Sequence, residues 1–283
     1  MGVELTEEGT SHFVQTRSGK VHYNEVGEGH PVVFLHGSGA GATGWSNFRP
    51  NIGPLSERFR VVAPDALGWG KSDAATPDEY DHVANVVDLL DELGLDRVAL
   101  VGNSMGGMTA MAVAARHPDR VSHLITMGPG AFIDIPHLFG FGDGPSEGLK
   151  ILVRGYQNPT PQVMKELVEI MTFSTEFATD ELARLRSDAA LARPDHLENF
   201  LAGMRTGGPV RNAATVEEAR AITAPTLLIH GRDDRVVHYE NSLRLVATIP
   251  DSRLVLFNRC GHWAQIEHAA EFNRLVADFI ENG

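Results

Sequence analysis

The chain has one cysteine in 283 residues, Cys260, so no disulfide framework is available and a reducing compartment is the expected setting. Positive charge is also scarce: 24 Lys and Arg stand against 37 Asp and Glu, a formal charge of -13. Nucleic acid and anionic membranes both require a basic footprint, so neither is an expected partner. No apolar run reaches a membrane span, because the longest candidate, 98–115, is broken by Asn103, Ser104 and glycines. The opening MGVELTEEGTSHF is acidic and polar, unlike a secretory leader, and carries no basic patch to accompany a lipid anchor. No repeat, low-complexity tract, metal constellation or cofactor loop is evident. The expectation is a cytoplasmic protein, homo-oligomeric (dimer or larger), with a small-molecule substrate and neither cofactor nor metal.

What is present is a hydrophobic fraction of 42% over a length that can bury a full core, as one large domain or a domain with an insertion. Strand-like apolar runs occur at 31–35, 59–63, 97–101, 121–127, 225–229 and 253–257. Amphipathic stretches at 79–93, 105–116 and 269–280 alternate with them, which predicts a parallel sheet covered by helices on both faces. A hairpin, 13–15 and 21–24 around Ser18-Gly19, precedes it. The alternation lapses across 133–216, which opens with Gly140, Gly142, Gly144 and Pro145 and turns helical at 164–171, 180–191 and 196–204. This predicts a core of 1–132 and 217–283 interrupted by a helical lid, 133–216, roofing a site.

Gly39, Gly41 and Gly44 in VVFLHGSGAGATGW spell G-x-G-x-x-G, with Asp65 ending the next apolar run, the outline of a dinucleotide loop. A second motif outweighs it. Gly102-Asn103-Ser104-Met105-Gly106 is G-x-S-x-G between a strand and a helix, where a sharp turn lifts a serine hydroxyl above the sheet edge. Such a serine needs a base, and the base an orienting acid. "HGRDDRVV" and "NRCGHWAQ" supply these at the C-terminal ends of later strands, giving His262 as base and Asp234, preferred over Asp233, as acid. The order Ser104, Asp234, His262 is that of the α/β-hydrolase fold. An acyl-transfer site also needs two amides facing an oxyanion. Met105 supplies one, and the HGSG loop supplies the other from Ser38, which makes the glycine loop part of a hydrolase site and Asp65 a strand-end residue.

HGSGAGATGWSNF, PDALGWGKSD, VGNSMGGMTA, GRDDRVV and CGHWAQIEHAAEFNRLVADF resemble the meta-cleavage product hydrolases. The resemblance spans nearly the whole chain and is best at the site loops. It implies an α/β-hydrolase fold with a mostly parallel eight-stranded sheet, helices on both faces and an inserted helical lid. It also implies carbon–carbon bond hydrolysis in a 2-hydroxy-6-oxo-hexa-2,4-dienoate. By motif, Ser104, Asp234 and His262 match the triad, and Ser38 and Met105 the oxyanion amides. Gly39, Asn47, Asn103, Arg186 and Trp263 match substrate-binding positions, with Arg184 and Arg211 as neighbouring candidates for the arginine. The chain departs from the pattern in having Ser38 where HGGG members have glycine. It also lacks, in GGPVRNAATVEE, the tryptophan of biphenyl-type members, which leaves the C6 substituent open. The triad alone would equally serve an esterase or lactonase, and a ligand receptor on the same fold is a third reading.

Overall fold

The computed structural model describes residues 5–131, 144–206 and 213–283. Eight strands form one sheet: β1 Ser11–Gln15, β2 Lys20–Val26, β3 Pro31–Leu35, β4 Arg60–Pro64, β5 Val98–Asn103, β6 Val121–Met127, β7 Thr226–Gly231 and β8 Ser252–Phe257. Their order is β1-β2-β4-β3-β5-β6-β7-β8. The pairs β1–β2 and β2–β4 are antiparallel and the rest parallel. The hairpin closes through reciprocal backbone bonds between Thr16 and Gly19, the latter at φ 144°.

Period-2 alternation sends each central strand to two cores. From β3, Val33 and Leu35 join a cluster with Val86 and Leu90 of α2 (His82–Glu92) and the alanines of α3 (Met105–Arg116). Val32 and Phe34 face the other way, onto Phe48, Ile52 and Leu55 of α1 (Gly44–Ser56) and Phe272 and Val276 of the C-terminal helix Ala269–Asn282. The near-unbroken apolar runs of the sequence follow from this burial on both faces.

Between β6 and β7 lie α4 (Glu147–Gln157), α5 (Pro161–Met171), α6 (Asp180–Leu191), α7 (Pro194–Thr206) and the short α8 (Val216–Arg220). No strand interrupts this stretch among the described residues. The first four helices share a core that includes Leu152, Tyr156, Leu167 and Ala190 and reaches Trp263 and Val236 of the sheet-end loops. The expected boundary at 132/133, Gly140, Gly142 and Arg211 lie outside the described residues. After β7 come α9 (Glu240–Val246), α10 (Ala264–Glu267) and α11, the C-terminal helix.

Asp65 closes the nucleotide question. Its Oδ1 accepts from the Gly44 amide at the start of α1 at 2.9 Å, and Oδ2 accepts from the Lys71 amide at 2.9 Å. Oδ2 also lies 2.8 Å from His22 Nδ1, whose Nε2 meets Ser11 Oγ at 2.8 Å. The carboxylate is thus spent on a helix N-terminus and on tying β2 to the neighbouring loop.

Candidate active site

Ser104 stands between β5 and α3 with φ 53° and ψ -116°, a conformation that non-glycine residues rarely adopt. A serine at a helix N-cap ordinarily caps with its hydroxyl, but here no side-chain cap bond forms, so Oγ is left for other work. The turn is held by the Ser104 amide donating to Met127 O at 2.8 Å. Its tightness explains the flanking glycines: a Cβ on Gly102 would overlap the Gly106 carbonyl, and one on Gly106 the Leu35 carbonyl.

His262 and Asp234 come from the loops after β8 and β7. His262 Nδ1 lies 2.7 Å from Asp234 Oδ2, both side chains being buried. Asp233 points elsewhere: it pairs with Arg232 at 3.7 Å. Asp234 Oδ1 accepts from the amides of Val236 at 2.7 Å and Val237 at 3.0 Å. Burial alone would raise this carboxyl. The His262 charge, together with hydrogen bonds from His230 and His262, instead holds it well below the usual carboxylate range. The pair His230–Asp234, at 3.1 Å, is not singled out by the sequence reading, although His230 stands four residues before Asp234 in the quoted loop.

Ser104 and His262 line one cavity of about 280 Å³. Among the described residues no hydrogen bond joins the hydroxyl to the imidazole. Eight of the ten expected site residues line this cavity; Asp234 stands behind His262, and Met105 opens α3 behind Ser104. A separate cavity of about 450 Å³, lined by His36, Asp65, His82 and Asn85, lies beyond Met105 and Gly106 and contains no activated nucleophile.

Arg186 is the most informative wall residue. It projects from α6, is buried to 5% exposure, and makes no hydrogen bond or ion pair among the described residues, with Nε unpartnered. Its guanidinium lies 5.0 Å from the Trp263 ring centroid. Burial pushes it down to about 10, only partly opposed by Tyr156. The glycine loop is what admits it. A Cβ on Gly39 would sit 3.1 Å from Arg186 Nη2, and one on Gly41 (φ 68°) 2.8 Å from the Arg186 carbonyl. Two of the apparent fingerprint glycines therefore let α6 lie against the loop.

Asn47 Oδ1 accepts from the Gly37 amide at 3.2 Å, which turns its NH2 group away from that bond. Asn103 does the converse. Its Nδ2 donates to Met127 O and His262 O, each at 3.3 Å, and its buried Oδ1 has no partner. The cavity thus holds a guanidinium Nε and an amide oxygen that find no partner among the described residues. Ser38 is fixed through its carbonyl, which accepts from Tyr156 Oη at 2.5 Å; that hydroxyl lies 3.1 Å from His196 Nε2.

The loop that carries His262 is tied to the helices between β6 and β7. Met171 O, at the end of α5, accepts from the amides of His262 at 2.7 Å and Trp263 at 3.2 Å. Glu267 accepts from Phe173 at 2.6 Å and Ser174 at 3.3 Å on one oxygen, and from Gly261 at 2.6 Å on the other. These contacts join segments about ninety residues apart, and no local signal announced them.

Residues 30–269 match the model of the alpha/beta hydrolase fold family. The chain is 43% identical, over 98% of itself and of the relative, to a 2-hydroxy-6-oxononadienedioate/2-hydroxy-6-oxononatrienedioate hydrolase of Cupriavidus pinatubonensis. It is 41% identical, over 99% of itself and 96% of the relative, to a 2-hydroxy-6-oxo-6-phenylhexa-2,4-dienoate hydrolase of Burkholderia cepacia. Among solved structures, the meta-cleavage product hydrolase CumD of Pseudomonas fluorescens, a mutant complexed with acetates, superposes with TM-score 0.82 at 34% identity, covering 95% of this chain and 97% of that one. A 2-hydroxy-6-oxo-6-phenylhexa-2,4-dienoate hydrolase of Rhodococcus sp. gives TM-score 0.79 at 27% identity over 96% and 100%. With the α/β-hydrolase sheet in place and relatives this similar along almost the full length, the chain belongs to the meta-cleavage product hydrolases, enzymes that act on carbon–carbon bonds.

Proposed function

We propose that the chain hydrolyses the C5–C6 bond of a 2-hydroxy-6-oxo-hexa-2,4-dienoate, giving 2-hydroxypenta-2,4-dienoate and a carboxylic acid, with Ser104, His262 and Asp234 as the catalytic set. The observation that carries this reading is the buried Arg186 guanidinium, which pairs with no carboxylate among the described residues, on the cavity that also holds Ser104 and His262. A buried cation without a counter-ion is costly, and a neutral ester has no use for one. A dienoate brings a carboxylate to meet it, while its enolic hydroxyl can donate to Asn103 Oδ1 and accept from the Asn47 amide.

The chemistry follows from the leaving group. Cleavage next to a ketone requires a stabilised carbanion, so the enol proton is first removed and a proton is placed on C5, giving the keto tautomer. His262 carries that proton. Ser104 Oγ then bonds to C6 as His262 takes its proton, and the former carbonyl oxygen becomes an oxyanion facing the Ser38 and Met105 amides. The C5–C6 bond breaks, its electron pair delocalises into the dienolate, and the imidazolium returns a proton. Water, deprotonated by His262, releases the acyl group from Ser104 as the carboxylic acid. A gem-diol route, with water in place of Ser104 at C6, is the variant against which the acyl route is to be tested.

Mixing the protein with yellow dienoates bearing hydrogen, methyl, phenyl or a carboxyalkyl group at C6 tests the reading and ranks the substituents. Bleaching of at least one is expected. No bleaching, beside fast p-nitrophenyl ester hydrolysis, would establish the esterase alternative; tight binding with slow turnover would establish the receptor. The helical insertion 133–216 is proposed as the lid, and a homo-oligomer in the cytoplasm as the working form, checked by size-exclusion chromatography and fractionation. Among the described residues no helix is long and apolar enough to cross a membrane.

A further inference from the structure

We infer that His230 is a positioning residue for the catalytic acid, a second imidazole that locks the Asp234 carboxylate so that it can orient His262. The inference rests on the reading of Asp234 and His262 as acid and base. His230 is the penultimate residue of β7, fully buried, and absent from the cavity wall. Its Nε2 lies 2.9 Å from Val237 O and 3.1 Å from Asp234 Oδ2, and its Nδ1 lies 2.7 Å from Ser242 Oγ on α9. A carbonyl can only accept, so Nε2 carries the hydrogen and shares it between Val237 O and Asp234 Oδ2. Nδ1 is held against the Ser242 hydroxyl, which can either donate to it or accept from it. Both ring nitrogens are committed, and the ring has one orientation.

The consequence falls on Asp234. An ionised carboxylate offers about four lone-pair directions. Here they take the Val236 and Val237 amides on Oδ1, and His230 and His262 on Oδ2. Any rotation about the carboxylate bond sacrifices several of these at once. With His230 donating from one side of Oδ2, the remaining direction is the one that His262 Nδ1–H occupies. That bond selects the tautomer whose Nε2 is free to accept the Ser104 proton. Without His230, Oδ2 keeps a buried unfilled acceptor site, which the carboxylate can relieve by turning toward Val237 or capturing water, at the expense of His262.

The test separates reach from packing. Asparagine at 230 can replace Nδ1 toward Ser242 but is too short for Asp234, whereas glutamine places an NH2 where Nε2 stood and can serve both acceptors. In His230→Asn, kcat on a bleached dienoate should fall about 10-fold with KM unchanged, and the low-field proton signal of the His262–Asp234 bond should move or broaden. In His230→Gln most of the rate and the original signal should return. Equal kcat in the two variants, or a fall explained by KM alone, overturns the proposal. Asp234→Asn is the control for the underlying reading. If it leaves turnover intact, the acid assignment itself fails; if it abolishes turnover while His230→Asn does not slow it, only the role of His230 fails.

Discussion

Replacing Arg186 by methionine should make the free protein more stable and its dienoate turnover much worse. The guanidinium falls from 12.5 to about 10 because it is buried. At about 1.4 kcal/mol for each tenfold, that is roughly 3 kcal/mol against the charged form. The contact with Trp263 at 5.0 Å returns about 1 kcal/mol. The net cost carried by the unliganded protein is therefore about 2 kcal/mol, which methionine, similar in length and apolar, removes. A rise in melting temperature of about 2–6 °C follows for a chain of this size. Catalysis should move the other way. A buried, hydrogen-bonded charge pair costs about 3–5 kcal/mol to break, so kcat/KM for the dienoate should drop about 10²–10⁴-fold. Turnover is read from loss of the yellow absorbance, with p-nitrophenyl acetate as an uncharged comparison and differential scanning calorimetry for stability. A lower melting temperature combined with equal losses on dienoate and ester would refute the reasoning, because Arg186 would then be a packing residue with no anionic partner.

Ser104→Ala should reduce kcat by about 10⁴-fold or more while substrate still binds, seen as a persistent shifted spectrum of the bound dienoate. Gly106→Ala should leave little folded protein, since its methyl group would collide with the backbone carbonyl of Leu35; soluble yield and circular dichroism report this. Tyr156→Phe removes the 2.5 Å bond to the Ser38 carbonyl and should lower kcat by about 10-fold with little change in KM, measured on the same chromogenic substrate. Asp234 sits below its ordinary 3.8, so its bonds contribute fully above that pH and are lost as pH falls through the folded value. The melting temperature of the wild type should accordingly fall more steeply than that of Asp234→Asn between about pH 4 and pH 2.

The parts that could be read from sequence are those whose signal is local. The strands at 31–35 and 121–127 and the helices at 105–116 and 180–191 have the expected limits, because burial on two faces or a clean helical period marks them. Helix α1 is absent from the sequence reading: GWSNFRPNIGPLS contains Pro50, Pro54 and two glycines, residues that oppose a helix. Its Thr43–Ser46 capping box and the buried Phe48, Ile52 and Leu55 outweigh them. Helix α4 was hidden in the same way by Gly148 and Gly155. At the site, the G-x-S-x-G turn and the strand-end loops are local motifs. The His262 bond to Asp234, the clamp of Glu267 on residues 173 and 174, and the approach of α6 to Gly41 are made by residues remote in the chain, and the local His230–Asp234 contact carries no motif of its own. The glycine pattern was visible throughout, yet its reason, clearance for a helix some 150 positions later, exists only in three dimensions.

The carbonyl of Met171 gives the inserted region a mechanical meaning. Since that one oxygen anchors both the His262 and Trp263 amides, α5 cannot swing outward as a free door without dragging the imidazole off its carboxylate. If the insertion is the proposed lid, substrate entry is expected through its other helices, with α5 staying with the sheet. On the proposed role of His262 as base, displacing that helix would take the imidazole off its carboxylate, so turnover is expected only with α5 seated.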